Sequence, residues 1–594
     1  MKRIKKVMAL VIAAAMVMGM MSMTAFAADP VDRKIAVTGL ETGDKVNFYK
    51  VLAWAGDKTT EEQNTLGAVS GWYPVDPFKS VLTPAVLKAA IDKDNKLMLT
   101  DELAGKLARA LNGGSTAPVN GSTAITESSG KAEYVFAAQD PESTAADGLY
   151  MAIVTPKDQD TVYNPIFVHL DSSVDDDSFA PTESQSYYKN EGVAKKSKVT
   201  LEKDFENDND YNDDGGNTTK PGDVLDFTVG TTIPGYGDMF IEPHFKLTDQ
   251  MNGLDLDPSS LTIKIKNGAA IPEASYTKTA TAAGYTIDFK PEYLKTLNVA
   301  TEIEIAYKAT VKEGANTNVI KEKNTVTVEF SHDPTTETDG KPGGDKQYKK
   351  DITNHYTFSI DANNLVGPTS DRIGESGSEI IKVGVDKDGK PITEEKTYSN
   401  VTTKNYAAGP LAGAEFELLD KNKQSFSPKK TATSDASGRL NFTGLDAGTY
   451  YLKETKAPAG YVKNTNEVAI VIDAEINENV EVTEYYDQQG NWYAEPGEGR
   501  TAFTYYTDEL VSYTVTYGGQ ASTYTFDHAH ESANDQIRWK ITQSGETPQS
   551  IPNVKGVELP STGGTGTTMF YIIGAILVLG AGILLATRRR MNAN

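Results

Sequence analysis

Hydrophobic and polar residues alternate along much of the interior of the chain, in short segments separated by turn-forming residues. Two clear examples are Thr325–Phe330 and Val511–Val515, which are rich in Thr, Val, Tyr and Phe. Successive side chains of a strand point to opposite faces of a sheet, so this alternation predicts half-buried β-strands. Many short strands separated by turns are typical of β-sandwiches, and we predict an all-β chain of tandem immunoglobulin-like sandwich domains.

Helical spacing is limited to one region near the N-terminus. In residues 82–91 and 102–111, Leu, Ala and Ile recur at intervals of three and four positions. This spacing predicts two helices, which we interpret as a small helical insertion in the first domain.

Two changes in composition mark domain boundaries. Residues 172–200 are polar and acidic, and residues 333–350 have the Pro, Gly and charge content of a linker. A chain of 594 residues is long enough for three or four domains. We therefore predict folded modules at 32–194, 197–335 and 350–557, the last with an insertion around 463–545.

The N-terminus is typical of an export signal. Basic residues in Lys2–Lys6 precede an apolar run over Val7–Met21, and Ala25–Ala27 supplies small residues at the cleavage positions. We predict a signal peptide at 1–27 that is cleaved after Ala27. Because the apolar run is slightly long, an uncleaved anchor is the alternative.

The C-terminal segment 559–594 carries the most specific motif of the chain, which is Leu559, Pro560, Ser561, Thr562 and Gly563. An uncharged stretch at 569–586 follows, which as a helix would be roughly 27 Å long, enough for a transmembrane helix. Arg588–Arg590 then form a basic tail. This order resembles the sortase sorting signal, in which the bond between the Thr and the Gly is cut. The alternative is a single-span membrane protein with an accidental motif.

Charge and cysteine content exclude several classes of function. The net charge is −24, and without the seven basic residues of the two ends 51 basic and 82 acidic side chains remain, a net −31. Such a surface repels nucleic acid and anionic lipid. The chain has no cysteine, which excludes disulfides, thiolate metal sites and a cysteine nucleophile.

Metal sites and cofactors are not expected. Asp210–Gly215 matches the first half of a calcium loop, but Pro221 stands at the twelfth position, so a solvated turn is favoured. The two histidines in Asp527–His530 are too few for a structural zinc site. We found no Ser, His and Asp arrangement that suggests an enzyme, and we predict that the protein is not one.

The third module contains two motifs with a specific resemblance. Leu411–Leu418 and Gly448–Tyr461, the second with the sequence GTYYLKETKAPAGY, resemble the Cna B-type repeat of collagen-adhesin-like surface proteins. The second module resembles the A-type, or D2, domain of sortase-assembled fimbrial subunits. Together with the sorting signal, the whole mature chain resembles the major pilins of Gram-positive bacteria.

The resemblance implies that each of these two domains forms an internal isopeptide bond between Lys and Asn, promoted by an acid. The attack needs a neutral amine, which burial of the lysine favours, and a protonated carboxyl group can polarise the amide and transfer protons. Carried over position by position, the resemblance implies one bond-forming set of residues in each module. The second module would use Lys203, Asp249 and Asn324, and the third would use Lys382, Glu454 and Asn553. The alternative is that these are ordinary surface residues.

A polymer would also need a lysine that accepts the acyl group of Thr562 from the next subunit. In the resembling pilins this lysine follows an alternating strand at the end of the first domain, and here Tyr163–Leu170 is such a strand. We predict Lys196, with Lys195 as the next candidate. The alternative is a solvated basic linker without chemistry.

The leading hypothesis is therefore the backbone subunit of a cell-wall-anchored pilus. Its partners would be pilin-specific and housekeeping sortases, identical subunits, minor pilins and peptidoglycan, and a host receptor is a further candidate. The alternative hypothesis is a monomeric wall-anchored adhesin or minor pilin, with a receptor surface in the insertion 463–545.

Overall fold

The computed structural model describes most of the chain between residues 34 and 591. The described residues are 34–55, 58–91, 96–112, 116–119, 123–124, 129–136, 145–170, 188–207, 210–211, 216–314, 317–336, 346–362, 380–389, 396–397, 405–406, 409–487, 492–493, 496–525, 542–545, 549–556 and 565–591. The predicted signal peptide at 1–27 and the motif Leu559–Gly563 lie outside the described residues, as do His528 and His530.

The first module combines two sheets with short helices. Its elements are β1 (Lys34–Thr38), β2 (Lys45–Trp54), α1 (Thr60–Leu66), β3 (Trp72–Pro74), α2 (Pro84–Ala90), α3 (Asp101–Arg109), β4 (Thr123–Ala124), β5 (Lys131–Val135), β6 (Gly148–Thr155), β7 (Thr161–Tyr163), β8 (Ile166–Leu170), β9 (Glu191–Val193) and β10 (Lys196–Lys198). One sheet has the order β3-β2-β6-β8 and another has the order β5-β1-β9, while β10 pairs with β7.

The two predicted helices are confirmed as α2 and α3. Each begins after a threonine whose hydroxyl accepts a hydrogen bond from the backbone N–H three residues later, Thr83 for α2 and Thr100 for α3. Helix α1 is not predicted by the apolar spacing, because none of its residues is buried. The strand predicted over 163–170 is divided between β7 and β8 at Asn164 and Pro165, since proline has no N–H for a ladder hydrogen bond.

The second module is a sandwich of two antiparallel sheets. Its elements are β11 (Leu201–Asn207), β12 (Val224–Ile233), β13 (Phe245–Asn252), β14 (Leu254–Ile265), β15 (Tyr276–Thr281), β16 (Gly284–Phe289), α4 (Pro291–Leu294), β17 (Thr301–Val311) and β18 (Val319–Ser331). One sheet has the order β11-β12-β17-β14, and the other contains β15-β16-β13-β18. Inward-facing aromatic and aliphatic residues of both sheets form one apolar core between them.

The third module is also built from strands. They are β19 (Lys346–Ile360), β20 (Ile380–Val385), β21 (Lys396–Thr397), β22 (Asn405–Tyr406), β23 (Gly409–Pro410), β24 (Glu415–Leu419), β25 (Ser425–Thr433), β26 (Phe442–Leu445), β27 (Gly448–Lys456), β28 (Val468–Asp487), β29 (Trp492–Tyr493), β30 (Arg500–Tyr517), β31 (Gln520–Thr525), β32 (Thr542–Gly545) and β33 (Gln549–Val554). A large sheet has the order β25-β24-β27-β28-β30-β31-β32, and β20 lies between β23 and β33 in a smaller one.

Strand β19 joins the second and third modules. Its residues Lys346–Phe358 pair with β18 of the second module, and its end pairs with β26 of the third. Its first residues, Lys346–Lys350, overlap the segment 333–350 that the composition marks as a linker. The modules therefore share a continuous sheet at this boundary.

A long helix, α5 (Thr565–Met591), covers the segment 569–586. Across the part of the chain that the structure describes, no helix is both long enough and apolar enough to cross a membrane. The all-β architecture of tandem sandwich domains is confirmed, and the transmembrane helix at 569–586 stays a prediction.

Candidate isopeptide sites

The second module holds Lys203, Asp249 and Asn324 in its core. Lys203 lies on β11 in one sheet, while Asp249 and Asn324 lie on the adjacent strands β13 and β18 of the opposite sheet. All three residues face inward and are buried, and both the Lys203 and Asp249 side chains are 0% exposed. The structure thus brings together three polar residues from different strands between two apolar sheets.

A hydrogen-bonded chain connects these side chains. Lys203 Nζ donates to Asp249 Oδ2 at 2.6 Å, and the Tyr307 hydroxyl donates to the same oxygen at 2.9 Å. Asn324 Nδ2 in turn donates to the Tyr307 hydroxyl at 3.0 Å. The carboxyl group therefore contacts the lysine directly and reaches the asparagine through Tyr307.

Burial shifts the protonation of the pair towards the neutral forms. Desolvation lowers the pKa of Lys203, and the nearby Asp249 opposes this shift. Desolvation likewise raises the pKa of Asp249, against the effect of Lys203. Both directions favour a proton on the carboxyl group and a free amine on the lysine, which is the combination that nucleophilic attack needs.

Two residues of this site are not predicted from the sequence. Tyr307 lies on β17 with its ring packed against Phe227, and Asp351 on β19 accepts a hydrogen bond from the Lys203 backbone N–H at 2.6 Å. Burial raises the pKa of Asp351 to about 7. The feature of the sequence that could have indicated Tyr307 is its inward position in the alternating strand β17. A buried tyrosine hydroxyl needs a hydrogen-bond partner, and a polar site in the core supplies one.

The third module brings together Lys382, Glu454 and Asn553. Strands β20 and β33 are parallel neighbours, with Lys382 opposite Ile551 and Gly384 opposite Asn553. Lys382 and Asn553 are therefore two register positions apart and lie on the same face of the sheet. Glu454 projects from β27 of the large sheet, and the side chains of Lys382 and Glu454 are 0% and 1% exposed.

Here the carboxyl group contacts both partners. Lys382 Nζ lies 3.2 Å from Glu454 Oε1, and Asn553 Nδ2 donates to Glu454 Oε2 at 3.1 Å and to the Val462 carbonyl at 2.8 Å. Within the described part of the chain, the buried atoms Lys382 Nζ, Glu454 Oε1 and Asn553 Oδ1 make no hydrogen bond. Burial lowers the pKa of Lys382 to about 8, although Glu454 acts in the opposite direction.

Neighbouring residues fix the position of this site. A side chain at Gly384 would meet the Tyr461 hydroxyl at 2.7 Å, so the tyrosine of the Ala459–Tyr461 motif packs directly on β20. Gly438, in the left-handed region at φ +77°, accepts a hydrogen bond from the Lys382 backbone N–H at 2.7 Å. The Asn464 backbone N–H donates to Glu454 and orients its carboxyl group.

The two predicted acceptor lysines lie on the surface of the first module. Lys195 and Lys196 are both exposed, and Lys196 pairs with Tyr163 in the β10–β7 ladder. Lys196 Nζ is 2.8 Å from Glu41 Oε1, an exposed ion pair that contributes little to stability. Among the described residues, no group of three His, Cys, Asp or Glu side chains is placed to hold a metal ion.

Two segments of the chain match known families. Residues 397–486 match SpaA, a prealbumin-like fold domain, and residues 551–593 match the LPXTG cell wall anchor motif. The first match includes Glu454, and the second includes Asn553 and Leu559–Gly563. The anchor match confirms the prediction from the sequence, and the chain is a cell-wall-anchored surface protein.

Similarity to known proteins extends over most of the chain. The trypsin-resistant surface T6 protein of Streptococcus pyogenes serotype M6 is 23% identical over 469 residues, which cover 74% of this chain and 79% of the relative. The solved structure of the T6 backbone pilin, with three domains, covers 89% of this chain and 100% of its own at 18% identity and a TM-score of 0.51. In its fold, its SpaA-type domain and its wall anchor, the chain is similar to the T6 backbone pilin, in agreement with the resemblance of its sequence to the major pilins of Gram-positive bacteria.

Proposed function

We propose that this protein is the shaft subunit of a covalently polymerised pilus and that it forms two internal isopeptide bonds, Lys203–Asn324 and Lys382–Asn553. One observation carries the proposal. Two separate buried clusters each contain a lysine, a carboxyl group and an asparagine in mutual contact, directly or through Tyr307. Buried lysine is rare unless it is paired, and two such clusters in one chain indicate a shared chemistry.

The reaction needs no cofactor and no second substrate. The neutral lysine Nζ attacks the asparagine Cγ, the Nζ–Cγ bond forms, and the Cγ–Nδ2 bond breaks. The carboxyl group accepts a proton from the attacking nitrogen and gives one to the departing nitrogen, which leaves as ammonia. Because the fold holds all three groups in contact, the reaction is effectively unimolecular. Each site reacts once, so the protein modifies itself and is not an enzyme with turnover.

The two bonds would protect the protein against tension. Each bond joins a strand near the beginning of a module to a strand near its end. When the two ends of the subunit are pulled apart, the force would pass through the bonds and not through residues 204–323 and 383–552. Resistance to forced unfolding depends on the unfolding rate, and a covalent bypass removes the unfolding route through these ladders. A protein without disulfides would thereby withstand load outside the cell.

Polymerisation would proceed through the C-terminal motif. A pilus sortase would cleave between Thr562 and Gly563 and transfer the Thr562 acyl group to Lys196 of the next identical subunit, with Lys195 as the second candidate. A housekeeping sortase would join the last subunit to peptidoglycan, and minor pilins would be further partners. A monomeric adhesin would use the same motif only for wall attachment.

Intact-mass measurement of the mature chain tests the internal bonds. Each bond releases one ammonia, about 17 Da, so two bonds give a deficit of about 34 Da against the mass of the sequence. Peptide mapping should recover Lys203 linked to Asn324 and Lys382 linked to Asn553. An unshifted mass would reject both bonds.

Co-expression with a pilus sortase tests the polymer. Lys196→Arg keeps the charge but removes the primary amine, and we expect it to abolish the detergent-resistant ladder of linked subunits. Lys195→Arg tests the second candidate and should keep the ladder, whereas loss of the ladder in this variant alone would assign the acceptor role to Lys195. If both variants polymerise as the parent does, another lysine accepts Thr562. If the parent forms no ladder, the monomeric adhesin is favoured.

A further inference from the structure

A third buried cluster of lysine, carboxyl group and asparagine lies where the second and third modules meet. Lys321 is on β18, Asn354 is on β19, and Glu509 is on β30 of the long β28–β30 hairpin. The side chains of Lys321 and Glu509 are 5% and 9% exposed, and Asn354 is 2% exposed. The hairpin therefore covers this part of the shared sheet and shields a charged group and its partners from water.

The carboxyl group of Glu509 contacts both of the other side chains. Lys321 Nζ lies 3.3 Å from Glu509 Oε1 and 3.3 Å from Oε2. Asn354 Nδ2 donates to Glu509 Oε1 at 3.1 Å and also contacts Thr507 Oγ1 at 2.9 Å. This pattern matches that of the third-module site, where Glu454 lies 3.2 Å from Lys382 Nζ and 3.1 Å from the asparagine Nδ2.

The strand register places the lysine within reach of the asparagine. In the antiparallel β18–β19 ladder, Lys321 is opposite Tyr356 and Lys323 is opposite Asn354. Lys321 and Asn354 are thus diagonal neighbours on the same face, a separation that a long side chain can span. Asn324 projects from the other face of β18 into the core of the second module, so the two sites do not compete for space.

We infer that Lys321 and Asn354 form a third isopeptide bond, with Glu509 as the promoting acid. The inference rests on the chemistry of the proposed function and extends it to the junction between modules. Transfer of a proton from the lysine ammonium group to Glu509 gives the neutral amine and a protonated carboxyl group. The amine forms the Nζ–Cγ bond to Asn354, Glu509 gives its proton to the departing nitrogen and accepts a second proton from Nζ, the Cγ–Nδ2 bond breaks, and ammonia leaves while Glu509 stays protonated. The step consumes nothing else, and all atoms balance.

This bond would protect the segment between Asn324 and Lys382, which neither of the two bonds proposed above protects from tension. With the two bonds proposed above, force passes from Asn324 along the backbone to Lys382, through the β18–β19 hairpin. A hairpin pulled apart from its open end loses its ladder hydrogen bonds one at a time and resists weakly. A bond between Lys321 and Asn354 lies three residues from Asn324 and takes residues 325–353 out of the path.

Peptide mapping and intact mass of the mature chain, produced as the full-length precursor, test the inference. We expect a total deficit of about 51 Da, three ammonia molecules, and a peptide in which Lys321 is linked to Asn354. Glu509→Gln and Lys321→Arg should each lower the deficit to about 34 Da. Glu481→Gln, on the same hairpin but hydrogen-bonded to the exposed Tyr506, is the matched control and should keep about 51 Da.

The outcomes separate this inference from the proposed function. If the peptides of Lys321 and Asn354 are recovered unlinked while the other two bonds are present, the cluster is only a buried ion pair and the inference is overturned. If none of the three bonds is found, the proposed function fails as well. The Lys203–Asn324 and Lys382–Asn553 bonds also report on folding, because a variant that retains them has folded in both modules.

Discussion

The second-module and third-module sites contain the same types of side chain but connect them differently. In the second module the carboxyl group of Asp249 contacts the lysine, and Tyr307 relays the contact to the asparagine. In the third module Glu454, which is one methylene longer, contacts both the lysine and the asparagine. A shorter carboxylate between two sheets thus needs an auxiliary hydroxyl, whereas a longer one does not.

The two sites also occupy different places in their folds. Lys203 and Asn324 lie on opposite sheets, so a bond between them would cross the core of the sandwich. Lys382 and Asn553 lie on adjacent parallel strands, so a bond between them would reinforce a ladder that already exists. The same chemistry can therefore join either two sheets or two neighbouring strands, provided that burial and contact are preserved. The following predictions test this comparison.

Removal of the acid should have the largest effect. Asp249→Ala and Glu454→Ala should each prevent the bond of their own module and leave the other bond intact. Cross-links that close loops of more than 100 residues stabilise by about 5 kcal/mol in the chain-entropy description, so each variant should lose stability of that order. Intact mass and denaturant unfolding measure the two effects. Asp288→Ala, on β16 and 46% exposed, is the control and should keep both bonds.

Tyr307→Phe should slow bond formation in the second module only. It removes the hydroxyl that links Asp249 to Asn324, and loss of a hydrogen bond to a charged or reacting group costs about 1.5–3 kcal/mol, a roughly 10- to 100-fold decrease in rate. The rate is measured by mass spectrometry on newly synthesised chain sampled over time.

Tyr285→Phe is the matched control for that experiment. Its ring packs edge-on against Tyr307 at 5.3 Å, but its hydroxyl has no hydrogen bond within the described residues. It should change the rate less than about twofold. Equal slowing by the two variants would mean that packing, and not the Tyr307 hydroxyl, controls the site.

Bond formation in the third module should be faster at higher pH. Burial lowers the pKa of Lys382 to about 8, so the neutral amine is the major form above that pH and decreases about tenfold for each unit below it. Chain kept denatured after synthesis and refolded at pH 6, 7, 8 and 9 should show this dependence in the rate of mass loss. A rate that does not change between pH 6 and 8 would mean that the proton passes directly from Lys382 to Glu454.

Removal of an exposed ion pair should have the smallest effect. Lys264 Nζ lies 2.7 Å from Glu304 Oε1, with side chains 43% and 26% exposed. Lys264→Ala should keep both bonds and change the free energy of unfolding by less than about 1 kcal/mol, because water screens such pairs. A larger loss would mean that the β14–β17 ladder depends on this pair.

The sequence predicts the sites where a local motif marks them. Glu454 lies in the KETKAPAGY segment, which can be recognised without any knowledge of the fold, and Lys203 and Lys382 are assigned through the resemblance to the pilin domains. Tyr307 has no comparable motif, because it resembles any inward tyrosine until Asp249 and Asn324 are placed beside it. The cluster of Lys321, Asn354 and Glu509 is also invisible in the sequence, since its members are brought together by three different strands.

The boundary between the second and third modules is another feature that the sequence predicts only in part. Composition marks 333–350 as a linker, yet Lys346–Lys350 already belong to β19. Charged residues at the start of a strand look like a linker when the partner strand is unknown. Lys350, for example, forms an ion pair with Glu484 of the long hairpin and lies over the Tyr505 ring.

The sequence alone determined the all-β class, the helices of the first module and the wall anchor, because each depends on periodicity or on a motif within a short segment. Only the tertiary structure decided how each carboxyl group contacts its lysine and asparagine, that Tyr307 completes one site, and that β19 joins two modules. These features depend on contacts between residues far apart in the chain. Such contacts are set by strand order, register and burial, and a single sequence does not specify them locally.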